Sequence, residues 1–321
     1  MKKYFVTGGS GFIGSSLSKK LLKMGNEVVI FDDFSRGNMR RIESIKRNIE
    51  IVNGDIRDQD KLIKHSKGSD VFVHLAAING TKFFYEKPQE VLDVSIKGIL
   101  SVVNACKKNM IVNLTFSSSS EVYQQPTKVP TPEEVPLIIP DVFNPRYSYG
   151  AGKIISEIIL LNYFKDFFKK IIIFRPHNVY GPDMGWEHVI PEMIKKAEVL
   201  CQTNNIFEIL GDGNQTRSFI YIDDFTDCLW KVITRGKHRN IYHIGNEDEI
   251  TIKSLAEKVI NHYTKDFEFS FLKCPFGETS KRCPKTDKIK GLGYKQKVNL
   301  DLGIKNVVEW YTNNLDLEKE L

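Results

Sequence analysis

Short apolar runs alternate with longer amphipathic stretches through the first half of the chain. Positions 4–7 form a brief apolar run that predicts a strand. "LSKKLLKMGNEVVIFDD" then predicts a helix, a stop at Gly25 and a second strand ending in two aspartates. "IEIVNGDIRD" reads as a third strand ending near Asp55, and "DVFVHLAA" as a fourth. "VLDVSIKGILSVVNACKKN" predicts a helix and "IVNLTFSSS" a fifth strand. "YGAGKIISEIILLNYFKDFF" predicts a long helix, and "KIIIFRPHNVYGP" contains a sixth strand. The apolar runs do not alternate with polar residues, so both faces of each strand are expected to be covered. With helices between them, they predict an α/β fold on a parallel sheet.

After Pro182 the rhythm changes. "MGWEHVIPEMIKKA", "FEILGDGNQTRSFIYIDD" and the segment after Thr264 hold more polar and loop-forming residues. "IYHIG" near Ile241 reads as one more strand of the main sheet. The expected division is therefore discontinuous. Residues 1–176 with about 219–262 form the sheet domain, and about 177–218 with 263–321 form a smaller lobe. The junction of the two makes a cleft, the usual place for a ligand.

Composition narrows the classes. With 321 residues, 41% hydrophobic and 27% charged, the chain is an ordinary globular protein large enough for such a sheet and lobe. The net charge is +6, but the basic residues are scattered, which argues against nucleic acid and fits a small anionic partner. The five cysteines include no C-x-x-C pair and no metal-ligand spacing, so reduced thiols in a cytoplasmic protein and no metal are expected. The N-terminus runs straight into a strand, and no 18-residue apolar run suits a membrane.

Chemistry begins at "VTGGSGFIG", between the first strand and the first helix. Gly9, Gly11 and Gly14 fit G-x-G-x-x-G, and Gly8, Gly11 and Gly14 fit a wider glycine spacing. Such a turn lets a pyrophosphate sit on a helix N-terminus. Asp32, eighteen residues beyond Gly14, ends the next strand. A carboxylate there accepts from ribose hydroxyls and repels a 2′-phosphate, which favours NAD over NADP. Arg36 is a counter-signal, because an arginine nearby could accept that phosphate.

The second signal is "YSYGAGK". Tyr149 and Lys153 are four positions apart and share a helix face, whereas Tyr147 lies on another face. A lysine cation, together with a positive nicotinamide ring, favours the phenolate and makes tyrosine a base. "SSSSEVYQ", from Ser117 to Gln124, ends the fifth strand with hydroxyls and a carboxylate where a core would need apolar residues.

Taken in order, "TGGSGFIG", "GDIRD", "HLAA", "SSSSEVY", "YSYGAGK", "RPHNVYGP", "GDGNQTRSFIYIDD" and "LGYKQKVNLDLGIKNVVEWY" resemble the extended short-chain dehydrogenase/reductases. The likeness is to their NAD-dependent epimerase/dehydratase family, which acts on nucleotide sugars, and it spans nearly the whole chain. It implies a Rossmann doubly wound sheet with a smaller, discontinuous C-terminal substrate lobe. It implies NAD held by Gly8, Gly11, Phe12, Ile13, Gly14, Asp32, Asp55, Ile56, Ala76 and Ala77, with Asp55 at the adenine. Ser119 falls at the catalytic serine/threonine and would hydrogen-bond the sugar hydroxyl that Tyr149 deprotonates. Lys153 would also hold the nicotinamide ribose. Ser117 and Ser118 would pack near the cofactor, and Ser120 would face the sugar. Asn178, Arg217 and Arg282 match positions that hold the phosphates of a nucleotide-diphosphate sugar.

Three departures stand out. Gln124 follows "VY" where the family often has glycine, and Ser95 stands where asparagine is common. The proline-rich insert "QQPTKVPTPEEVPLIIP" could cap the sugar pocket. The resemblance implies hydride removal at C4, giving a 4-keto sugar. The favoured outcome is a sugar-nucleotide epimerase or C4 dehydrogenase, because Ser120 occupies the slot where many dehydratases carry aspartate. Glu121 keeps a 4,6-dehydratase and a uronate decarboxylase open. A non-catalytic NAD-sensing protein is the alternative of another class, against which intact Ser119, Tyr149 and Lys153 argue. Helices apolar on more than one face, one with Ile155, Ile158 and Leu161 and one with Val94, Ile99 and Val103, predict a homodimer.

Overall fold

The structure is a computed structural model that describes residues 1–200, 205–273 and 280–320. Cys201 and Cys274 lie outside the described residues. Seven parallel strands make the central sheet: β1 (Lys3–Thr7), β2 (Glu27–Asp32), β3 (Glu50–Asn53), β4 (Val71–His74), β5 (Asn113–Ser117), β6 (Lys170–Pro176) and β7 (Asn240–Ile244). Their order is β7-β6-β5-β4-β1-β2-β3. The chain winds outward from β1, then returns to begin again at β4. Ligands of such sheets bind in the crevice where the winding reverses, at the C-terminal strand ends.

The strands lack alternation because each feeds two cores. On one face Val6, Ile30, Val73 and Phe174 meet Leu17 and Leu21 of the helix Phe12–Lys23, and Phe225 and Leu229 of the helix Ile222–Arg235. On the other, Phe5, Phe31, Phe72 and Phe116 meet Leu62, Val102, Val103 and Leu160. Each such buried side chain contributes about 1.5–3 kcal/mol. The helix Pro88–Lys108 opens on a proline, which spares an amide that has no helical partner, and ends on two lysines suited to its negative pole.

The helix that carries Tyr149 is shorter than its sequence predicts. It is α-helical over Ser148–Ile158, then widens into a π turn over Ile159–Tyr163. The wider turn keeps Leu160, Phe164 and Phe168 in the core while Tyr163 stays outside.

Beyond β6 the strands are short. Val179–Tyr180 pairs with Ile220–Tyr221, Thr216–Ser218 lies between Glu249–Thr251 and Lys281–Arg282, and Ile206–Leu210 pairs with Glu268–Leu272. The core does not stop at the sheet: Trp186, Met193, Ile194 and Phe207 belong to the same buried cluster as Val6 and Leu17. The proline-rich insert is stitched to this region. Thr131 N donates to Cys283 O at 2.8 Å, Lys285 N donates to Thr131 O at 2.7 Å, and Glu133 accepts from His243 N at 3.1 Å. No helix among the described residues is long and apolar enough to cross a membrane.

Candidate active site

β1 delivers the chain into the glycine turn. Gly8 has φ +69°, and a Cβ there would lie 2.8 Å from Ala76 N. A Cβ on Gly14 would lie 2.0 Å from Gly8 O, so the turn cannot close over a larger residue. Gly11 supplies no side-chain cap to the helix Phe12–Lys23, so the helix's first amides have no partner within it. The side chains of Phe12 and Ile13 pack against the core, and what these two residues offer a ligand is backbone.

Gly8, Gly11, Asp32, Asp55, Ile56, Ala76 and Ala77 line one groove. Asp32 is buried, and its two oxygens accept from Ser10 N at 2.9 Å and Phe34 N at 3.0 Å. Burial raises its carboxyl despite these bonds. Asp55 is also pushed up by burial, but Arg57, whose Nε lies 2.9 Å from Oδ2, outweighs this and holds it below the usual carboxylate range. A bare glycine turn, an open helix N-terminus and an acid at the end of β2 fit a dinucleotide: turn and helix for the pyrophosphate, Asp32 for the ribose.

The catalytic candidates meet beside this groove. The turn Ser120–Val122 follows β5, and Ser119 Oγ caps it by accepting from Glu121 N at 3.1 Å. Tyr149 lies near enough to Ser119 for the hydroxyl to bear on its phenol. Tyr149 is buried and stacks on Phe84, with centroids 5.1 Å apart. Lys153 is buried on the same helix, and its Nζ donates to Ser117 O at 2.7 Å and lies 5.5 Å from the Tyr149 ring centroid. Burial lowers the lysine to about 7, against the pull of Glu157. Burial also raises the Tyr149 phenol, Glu121 adds to the rise, and only the nearby Ser119 hydroxyl opposes it. Protein groups alone therefore do not make Tyr149 a base. The sequence argument that Lys153 favours the phenolate needs the second positive charge of a nicotinamide ring.

The other hydroxyls of the serine run separate. Ser118 turns its Oγ to Glu157 at 2.5 Å, part of a buried pair in which Glu157 Oε2 accepts from Arg175 Nη2 at 2.6 Å. Ser120 is buried. Gln124 has φ +51°, a left-handed backbone that glycine adopts most readily, and its amide is anchored on Glu121 O at 2.6 Å. Ser95 packs its Oγ close to Gly152, where a Cβ would lie 2.7 Å away, so the tyrosine helix sits hard against the helix Pro88–Lys108.

Glu121 is the centre of a charge cluster. Its Oε1 lies 2.6 Å from Arg282 Nη1 and its Oε2 lies 3.6 Å from Arg146 Nη2. Burial raises the carboxyl, but Arg282, Arg146 and Arg217 together hold it below its ordinary range. Arg282 thus has a carboxylate partner within the protein. Arg217 Nη1 donates to Thr216 O at 2.8 Å, and Asn178 Nδ2 donates to Ser218 O at 2.9 Å, which places both at the strand Thr216–Ser218.

Sequence reasoning missed Arg146. It lies three residues before Tyr149 in the turn Pro145–Tyr147, whose Asn144 cap accepts from Arg146 N at 3.0 Å. Its Nη1 is buried without a hydrogen-bond partner. The "NPR" start of the turn was the only local signal, and the contact with Glu121 is not legible from spacing.

The family model described as "NAD dependent epimerase/dehydratase family" matches residues 4–245. A UDP-N-acetyl-alpha-D-glucosaminuronate decarboxylase of Bacillus cytotoxicus is 30% identical, with 97% of this chain and 98% of that protein covered. A putative UDP-glucose 4-epimerase of Methanocaldococcus jannaschii is 32% identical over 96% of this chain and 98% of its own. The structure of a dTDP-glucose 4,6-dehydratase from Streptomyces venezuelae, solved with NAD bound, superposes with a TM-score of 0.89 at 25% identity, covering 99% of both chains. The glycine turn, the Ser119–Tyr149–Lys153 arrangement and these whole-length likenesses agree: the protein is an enzyme of the NAD-dependent epimerase/dehydratase family, within the extended short-chain dehydrogenase/reductases, and its cofactor is NAD.

Proposed function

We propose that the protein oxidises C4 of a nucleotide-diphosphate sugar to a 4-keto sugar. The observation that carries this is the buried pair of Tyr149 and Lys153 one helical turn apart, with Lys153 Nζ 5.5 Å from the Tyr149 ring and 2.7 Å from Ser117 O, two residues from Ser119. When bound, NAD accepts the hydride that C4 gives up. Tyr149 takes the C4 hydroxyl proton, and Ser119 hydrogen-bonds the same hydroxyl and orients it. Lys153, fixed on Ser117 O, holds the ribose and supplies positive charge near the phenol. Asn178 and Arg217 serve the diphosphate. Return of the hydride to the other face makes a 4-epimerase, and release of the ketone makes a C4 dehydrogenase.

Glu121 is poorly placed to be a base at C5. It is ionised, but two arginines hold it, and abstraction of H5 would cost both ion pairs. That speaks against dehydration at C6. The same cluster supports a second reading. A nucleotide-linked uronic acid carries its carboxylate β to the C4 ketone, so carbon dioxide leaves without a base at C5. Arg282 and Arg146 Nη1 suit that carboxylate, and the decarboxylase of Bacillus cytotoxicus is similar over the whole length.

The test is a panel of UDP-, GDP-, dTDP- and CDP-linked sugars and their uronic acids, read by product mass. Unchanged mass with a new isomer, or loss of two hydrogens, supports the first reading, and loss of carbon dioxide supports the second. Loss of water overturns both.

Two strand placements support a division into lobes. We assign residues 1–176 with about 219–262 to the NAD domain, since β7 lies in the central sheet. About 177–218 with 263–321 form the nucleotide-sugar lobe, where Ile206–Leu210 and Glu268–Leu272 pair with each other. We also propose a homodimer in the cytoplasm. Leu100, Ile158, Ile159 and Tyr163 line one shallow apolar surface, with Ile158 55% and Tyr163 76% exposed, which a second copy would cover. The buried, unbridged thiols of Cys106, Cys228 and Cys283 suit a reducing compartment.

A further inference from the structure

The loop after β2 presents two opposite charges to the adenosine end of the groove. Asp32 and Arg36 both line it. Gly37 follows Arg36 so closely on Asp32 that a Cβ there would lie 2.6 Å from Asp32 Oδ1, which puts the arginine next to the acid that meets the ribose. A 2′-phosphate is the one group that separates NADP from NAD, and an arginine beside that acid is what accommodates it. By position alone, Arg36 would weaken the selectivity that Asp32 imposes.

Arg36 is occupied from across the molecule. Its guanidinium lies over the Phe83 ring, 4.7 Å from the centroid, and Nη2 forms an ion pair with Glu187 Oε1. Glu187 stands 151 residues further along the chain, in the segment before the helix Val189–Leu200. The pair is largely shielded, with side chains 29% and 27% exposed, so water and salt screen it less than a surface pair. The neighbouring arginines are held in the same way: Arg40 Nη2 lies 2.8 Å and Arg41 Nη2 3.2 Å from Asp183 Oδ1.

We propose that Glu187 is a cofactor-specificity residue: by engaging Arg36 it denies a 2′-phosphate its counter-charge, so NAD is selected by two acids from distant segments of the chain. Asp32 repels the phosphate, and Glu187 removes the cation that would offset that repulsion. The tether alone would leave the ratio of NADP to NAD binding untouched when broken, which separates the two roles.

The experiment measures binding of NAD, NADP, 5′-AMP and 2′,5′-ADP to the purified full-length protein by calorimetry, with no sugar substrate present. In Glu187→Gln, NADP and 2′,5′-ADP should bind at least about tenfold more tightly than in wild type, with NAD and 5′-AMP within about threefold, as one recovered charge-assisted contact to phosphate predicts. In Arg36→Leu/Glu187→Gln the gain should vanish. In Arg36→Leu alone, NADP affinity should move less than about threefold, because the arginine is already taken. An unchanged NADP to NAD ratio in folded Glu187→Gln overturns the proposal, as does a gain that survives in the double variant. A tenfold loss of NADP affinity in Arg36→Leu alone also overturns it, and that arm stands whether or not Glu187→Gln folds.

Discussion

At the scale of single residues, the site divides into groups set by spacing and groups set by contact. Tyr149→Phe removes the proton acceptor and should cut turnover by at least about a hundredfold while nucleotide-sugar binding holds within a few-fold. Wild-type rates in that variant would remove Tyr149 from the mechanism. Lys153 gives a pH prediction with a definite sign. Its folded value of about 7 lies below that of a free lysine, so the folded state holds fewer protons than the unfolded state between roughly pH 7 and 10. Stability from this group therefore rises with pH across that window. Lys153→Met should melt higher than wild type near pH 6, be inactive, and lose its advantage as the pH approaches 10. A melting difference independent of pH would show that the ammonium is not disfavoured by burial. Glu121→Gln should slow C4 oxidation less than about tenfold, since the amide keeps the shape and the carboxylate is not the base. Ser119, Tyr149 and Lys153 were legible because each sits at a fixed offset in a short motif. Arg146 and Glu187 were not, because their meaning depends on partners elsewhere in the fold.

At the scale of elements, the strands were the most legible feature. Each apolar run became a strand because both faces of the sheet are covered, as Phe5 and Val6 illustrate by pointing into different cores. The end of the tyrosine helix was not legible: apolar spacing continues past Ile158, and only packing shows where the π turn falls. The anchoring of the proline-rich insert to Cys283, Lys285 and β7 was not legible either, because those partners are more than a hundred residues away. Between elements, the Arg175–Glu157 pair fastens β6 to the tyrosine helix, with both side chains no more than 4% exposed. Arg175→Met leaves Glu157 without its cation and should cost about 3–5 kcal/mol, visible as a large drop in the urea midpoint. Arg175→Met/Glu157→Leu should recover most of it. A single variant as stable as wild type would mean that the pair is dispensable to this junction.

At the scale of the whole molecule, the exposed apolar surface and the shared core make separate predictions. Ile158→Glu places a charge in the apolar surface with Leu100, Ile159 and Tyr163 and should shift the protein from dimer to monomer in light scattering at micromolar concentration, with an unchanged circular dichroism spectrum. A wild-type protein that is already monomeric there would end the homodimer reading. The buried cluster that runs from Val6 and Leu17 to Trp186, Met193 and Phe207 has a different consequence. A cluster that crosses from sheet to lobe leaves no weak seam between them, so the chain should melt in one transition, and a protease should release no resistant NAD-binding fragment. It also means that a lobe grafted from a relative arrives with half of someone else's jigsaw, and will seat only if the sheet-side pieces travel with it.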